Sequence, residues 1–292
     1  MSAHKLFRLA ASLYNSPQLI IPSEFEKILA YIDARNFDMM LPASKMDEED
    51  DNGDEEEIPS SIDDMIESGI CVIPIEGSLT ASPVMTPCGA IGTSYAQLED
   101  DVEDAIEAGV DMIVMTFSSG GGQAMRLFET CNNIRSMVDA AGIPLYGYVM
   151  DGSMSASFAL SVLCDELYAN PSAEVGSVGC VVALSDSSKA MEQAGLKKIY
   201  LTSGTEKVPF AEDGSFKQSF LDDVQTQVDK LGTQFINHVS KYTGIDTKII
   251  RGFEAASFDA DEALEKDLIT GIMTQREFVS YIVDKKNGAK NA

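Results

Sequence analysis

The stretch Met150-Asp151-Gly152-Ser153-Met154-Ser155-Ala156-Ser157-Phe158-Ala159-Leu160-Ser161 decides how the rest of the chain is read. It follows an apolar extended run, Ile143 to Tyr148, and opens an apolar segment that continues to Leu163. Small residues at such a strand-to-helix junction let the backbone turn sharply and leave one side chain at the helix N-terminus. The first amides of a helix have no partner within it, and the positive end of its dipole lies there. An anion formed at Ser155 would therefore be stabilised in place. A serine-rich turn also caps helices that do no chemistry, so the stretch takes its meaning from its surroundings.

On either side, extended and helical patterns alternate. Strands are expected at Ile70 to Ile75, Met112 to Phe117, Ile143 to Tyr148, Val178 to Leu184 and Lys198 to Thr202. Helices are expected at Tyr95 to Ala108, Ala124 to Ala141, from Ser155 onward, and after Gly214 at Phe216 to Tyr242, Thr247 to Phe253, Ala260 to Leu264 and Gln275 to Val283. That alternation predicts an α/β fold with a mainly parallel sheet covered by helices.

Four segments follow from composition. Residues 1–45 form a small amphipathic helical segment, with Phe25, Ile28, Leu29 and Ile32 at helical spacing. Residues 46–66 hold the run Asp47 to Glu57, whose like charges repel and cannot be buried together, so they read as a disordered linker rather than a metal site. Residues 67–285 carry the alternating pattern, and 286–292 form a polar tail.

With a formal net charge of −26 the chain has nothing basic to spare for phosphates, so nucleic acid is not an expected ligand. No apolar run approaches a membrane span, and the block near Leu6, Phe7 and Leu9 is too short and broken for a signal peptide, so a cytosolic protein is expected. The five cysteines are widely spaced and read as reduced core residues. The only histidines are His4 and His238, which disfavours a local Ser-His pair or a histidine zinc site.

Three further stretches bear on Ser155. Ser118-Ser119-Gly120-Gly121-Gly122 follows a strand, and its glycines could aim amides inward as an oxyanion hole or simply form a turn. No Gly-Lys-Ser or Gly-Lys-Thr follows to make a phosphate loop. Ser203-Gly204-Thr205-Glu206-Lys207 offers a lysine, which can replace histidine as the base for a serine nucleophile once it is desolvated. Gly176-Ser177-Val178-Gly179 is a tight turn whose hydroxyl could orient that lysine.

In order and spacing these motifs resemble the S49 serine peptidases, and within them the prohead-protease branch of lambda-like tailed phages. The likeness runs from Leu9-Ala10-Ala11-Ser12-Leu13-Tyr14-Asn15-Ser16-Pro17 through the helical C-terminal part. The resemblance implies a Clp protease/crotonase-type fold of repeated ββα units in a ring-like homo-oligomer. It places the nucleophile on Ser155 and the general base on Lys207, 52 residues apart as in the family. The oxyanion amides fall on Gly121 and Ala156, and Ser177 orients the lysine. The implied function is a Ser-Lys endopeptidase that needs no cofactor or metal and cleaves capsid, scaffold or portal proteins inside the prohead, in the host cytoplasm. Two features depart from the family: Ser119 stands where proline precedes the glycine pair, which predicts a looser loop, and Ala156-Ser157 replaces a common glycine. Ser153 and Ser157 flank the candidate nucleophile. Other readings are an inactive scaffold of the same fold, a bacterial cytosolic S49 peptidase and a crotonase-type acyl-CoA enzyme.

Overall fold

The computed structural model describes residues 17–22, 25–26, 69–83, 85–86, 89–90, 92–186, 188–195, 199–211 and 213–289. Its strands are β1 (Gln18–Ile20), β2 (Ile70–Glu76), β3 (Met85–Thr86), β4 (Gly89–Ala90), β5 (Met112–Ser119), β6 (Gly121–Gln123), β7 (Leu145–Met154), β8 (Glu166–Ala169), β9 (Glu174–Gly176), β10 (Ser257–Asp259) and β11 (Gly271–Ile272). Its helices are α1 (Tyr95–Glu107), α2 (Leu127–Ala141), α3 (Ala156–Ser161), α4 (Ser188–Gln193), α5 (Gln218–Thr243), α6 (Thr247–Gly252), α7 (Ala260–Glu265) and α8 (Gln275–Ala289).

The sequence Met112-Ile113-Val114-Met115-Thr116-Phe117 makes β5 a central strand, because its apolar residues alternate between two cores. Ile113, Met115 and Phe117 join the large core under α1, α2 and α3. Met112 and Val114 meet Tyr146, Tyr148 and Tyr168 beneath Phe278 and Ile282 of α8. A strand covered on both faces needs side chains of this kind at every position, as parallel sheets do. The α/β class expected from the sequence is thus the class observed. β5, β6 and α2 make one ββα unit.

The main sheet runs β10-β9-β7-β5-β2, with β8 beside β7 and β11 beside β8. All its pairs are parallel except β10 with β9. The long strand β7 serves two neighbours in turn: Tyr146 to Val149 pair with β8, and Gly152 to Met154 pair with β9. Between these halves its register against β5 slips, so that Phe117 faces Val149 but Ser118 faces Gly152. The inserted pair, Met150 and Asp151, forms a bulge, a device that re-aims side chains at strand ends.

Several expectations need correction. Gln18–Ile20, within the segment expected to be helical, is a strand paired antiparallel with Gly121–Gln123. Bare glycine backbone there accepts a close neighbour, and Leu19 fills the core fully buried. Phe25 is helical and buried, but the rest of that helical pattern and the acidic segment 46–66 lie outside the described residues. Among the described residues no ladder forms at Val178 to Leu184, because Gly176 (φ 110°) and Ser177 (φ 53°) turn the chain away, and only Val181 makes a bridge, to Gln18. Among the described residues Ile199 to Leu201 have no strand partner, and Ile199 and Leu201 are 77% and 96% exposed. An extended, apolar pattern cannot make a strand without an edge to join. The expected polar tail instead continues α8 to Ala289. Cys71 and Cys131 are buried, Cys164 and Cys180 half-buried, and all four are free thiols.

Candidate active site

β7 ends at Met154, α3 begins at Ala156, and Ser155 alone makes the turn between them. Its backbone stands at φ 55°, ψ −119°, a region that costs a non-glycine residue about 1–3 kcal/mol. Two bonds hold it there. The Ser155 N–H donates to Gly176 O at 2.8 Å, and the Ser155 carbonyl accepts the first helical bond, from Ala159 N–H at 3.1 Å. The neighbouring serines are occupied elsewhere: Ser153 and Ser157 hydroxyls share a hydrogen bond of 3.1 Å in the core. Of the three, only Ser155 lies at the strained junction.

The glycine loop lies against this turn. Gly121 has φ 102°, and a methyl group built on it would come 2.3 Å from Leu19 O and 3.0 Å from Ala156 N. Only glycine fits, and its Cα stands directly beside the first amide of α3. The loop is held from both sides: Leu79 N–H donates to Gly121 O at 2.9 Å, and Ile21 N–H to Gly120 O at 2.9 Å. Ser119 does not loosen this loop. Its buried hydroxyl donates to Gly77 O at 2.6 Å and accepts from Gly121 N–H at 3.2 Å, so a side chain does the fixing expected of a proline ring.

Ser177 follows the Met154–Gly176 pair of the β7–β9 ladder by one position, as Ser155 does, which makes the two serines neighbours. It is buried, has φ 53°, and its N–H donates to Ala256 O at 2.8 Å. Ser155, Ala156, Gly121 and Ser177 are therefore brought together. Lys207 is not. It ends an exposed 3-10 turn, Thr205–Lys207, and no hydrogen bond or ion pair among the described residues joins it to Ser155 or Ser177. The expectation that it is desolvated does not hold in the single chain, because the segment from Ile199 to Lys207 stands clear of the sheet.

Three features escaped the sequence. His238 Nε2 lies 2.8 Å from Ala159 O, tethering the helix that starts at Ser155, and its burial pushes its pKa down. β1 walls the glycine loop, for which the adjoining apolar residues of Leu19-Ile20-Ile21 were the available signal. Asp151 accepts a hydrogen bond from Ser118 at 2.6 Å and lines, with Gly121 and Met154, a cavity of about 280 Å³. Among the described residues no group of three or more His, Cys, Asp or Glu is placed to hold a metal ion, and no helix is long and apolar enough to cross a membrane.

The arrangement suits acyl chemistry: a hydroxyl on a strained turn, with the Ala156 amide opening the helix directly after it and the Gly121 backbone packed alongside. Among curated proteins the chain is 25% identical over 233 residues to the capsid assembly protease C of Escherichia phage lambda, covering 77% of this chain and 51% of that protein. It is 23% identical over 222 residues to the head-tail preconnector protein GP5 of Enterobacteria phage P21, covering 75% and 44%. The chain thus spans about half the length of these relatives. Solved structures of similar shape include a ClpP1 mutant from Listeria monocytogenes (TM-score 0.46, 10% identity, 74% of this chain and 96% of that one). A peptidase from Plasmodium falciparum is another (TM-score 0.42, 13% identity, 73% and 99%). Residues 138–288, just over half of the chain and including Ser155, Ser177 and Lys207, match the sequence model of peptidase family S49, and the chain belongs to that family.

Proposed function

We propose that this protein is a serine endopeptidase that cleaves capsid and scaffold proteins during phage head maturation, acting as a homo-oligomer inside the prohead in the host cytoplasm. The observation that carries the reading is Ser155 itself, held at φ 55°, ψ −119° beside the Gly121 backbone. Strain of this kind persists only where the surroundings enforce it, and it marks nucleophiles on strand-to-helix turns. The phage relatives, a capsid assembly protease and a head-tail preconnector protein, support the setting.

In this mechanism the Ser155 hydroxyl attacks the substrate carbonyl while Lys207, brought over the site and neutral, takes the hydroxyl proton. The oxyanion is received by the Gly121 and Ala156 amides. The C–N bond breaks and Lys207 gives the proton to the leaving amine; water, deprotonated by the same lysine, then attacks the acyl-enzyme, and the lysine returns that proton to Ser155 Oγ as the acid leaves. Ser177, beside Ser155, holds the lysine in place. This requires the exposed segment carrying Lys207 to close, through substrate or a second copy of the chain.

Exposure of Lys207 also favours a second reading, a chain that keeps the fold as an inactive internal scaffold. One experiment separates the two: incubation with candidate head proteins, parent against Ser155→Ala, with the products read by mass spectrometry. Fragments that appear only with the parent establish the peptidase. Identical products, together with no labelling of Ser155 by a fluorophosphonate, establish the scaffold.

A further inference from the structure

We propose that the cavity beside the glycine loop is a specificity pocket for a long cationic side chain, lysine or arginine, at one fixed position of the substrate polypeptide, with Asp151 receiving its charge. The inference rests on the peptidase reading of the same site. The cavity measures about 280 Å³, just under the range of pockets that hold drug-sized molecules, so it suits one long side chain. Gly121 and Met154 form part of its wall, and Met154 directly precedes Ser155. A substrate residue whose carbonyl lies against the Gly121 and Ala156 amides is therefore within a side chain's reach of this cavity.

The lining combines two chemistries. Ile20, Ile21 and Met154 supply apolar wall, and Asp151 is the one charged residue among those that line it. Asp151 is there because of the β7 bulge, which inserts Met150 and Asp151 opposite the Phe117–Ser118 step. Its Oδ2 accepts from Ser118 Oγ at 2.6 Å, which fixes the carboxylate, and Oδ1 has no hydrogen bond among the described residues. No lysine or arginine among the described residues forms an ion pair with it. An oriented carboxylate without a cation, in a cavity that also has apolar lining, matches a side chain whose stem is apolar and whose end is positive. The chain's formal net charge of −26 acts the same way at longer range, drawing basic segments in and repelling acidic ones.

The test is a digest of a denatured protein mixture by the full chain, with every cut position read by mass spectrometry, for the parent, Asp151→Asn, Asp151→Lys, Ser118→Ala and Ser155→Ala. The parent should favour lysine or arginine over leucine or methionine at one position by about tenfold in kcat/KM. Asp151→Asn should abolish that ratio, Asp151→Lys should turn it toward glutamate, and Ser118→Ala should shrink it. Asp151 is exposed, so these proteins should melt with the parent, and a melting scan checks it. Cuts without charge preference, or a preference that survives Asp151→Asn and Asp151→Lys, overturn the pocket while leaving the peptidase intact. Products identical to those of Ser155→Ala overturn the peptidase reading, and the pocket with it.

Discussion

Replacing Ser119 with alanine removes a hydroxyl that holds two backbone groups at once. The bond it donates to Gly77 O is short, 2.6 Å, and the one it accepts from Gly121 N–H is long, 3.2 Å. Ser119 is 5% exposed, so water does not readily replace either bond. Leaving a buried carbonyl without its donor costs about 1–3 kcal/mol. For a unit of this size each kcal/mol lowers Tm by roughly 2–4 °C, so a fall of several degrees is expected. On catalysis two effects oppose. Freeing the Gly121 amide offers it to the oxyanion, while loss of the Gly77 anchor lets the loop drift. The shorter bond is the stronger, so drift should win. Removing an oxyanion donor outright costs about 10²–10³ in kcat. Loosening one should cost less, about tenfold, with KM little changed because the amide acts mainly in the transition state. Steady-state kinetics on a peptide substrate, a thermal melt and the Ser119→Thr variant form the assay. Threonine keeps the hydroxyl and should restore most of both losses. Alanine at the parent's Tm and kcat, or threonine no better than alanine, would refute the reasoning.

Gly121→Ala should abolish cleavage and destabilise the fold by at least about 1–3 kcal/mol, since its methyl would meet Leu19 O at 2.3 Å in a backbone region unfavourable to alanine. Gly109→Ala is the control: φ is +73° there too, but nothing lies within 4 Å of the added carbon, so cleavage should persist in a kinetic assay. Lys207→Met should lose cleavage with no loss in a thermal melt, because the residue is exposed; continued cleavage would remove lysine from the mechanism. His238 has a pKa lowered by burial from 6.5, so the unfolded chain binds its proton first as pH falls. The stability that its neutral form contributes is complete above about 6.5 and is lost as pH drops through the folded pKa. Denaturant melts from pH 7.5 to 5 should show a smaller decline for His238→Gln than for the parent, and equal slopes would contradict it.

What the sequence makes legible here is local. The apolar residues of β5 and β7 announce themselves because covered strands need them at every position. The turn at Ser155 is visible because small residues crowd the junction. Harder to read are features that depend on which distant segment arrives. Strands of three or four residues such as β1, β8 and β9 carry too few side chains to show a period, and their backbone partners define them. The loop was expected to loosen at Ser119 because proline fixes φ by itself, whereas serine fixes a loop only if a carbonyl such as Gly77 O comes within reach. His238 falls within a long helical pattern that gives no sign of Ala159 O, 79 residues away, which meets its ring. Lys207 is the opposite case. The resemblance implied a base at this distance along the chain from Ser155, yet the described contacts leave it in solvent, because spacing constrains where a residue can go and only packing holds it there. Ile199 and Leu201 are exposed on the same segment, so apolar surface there is left without a packing partner in the single chain.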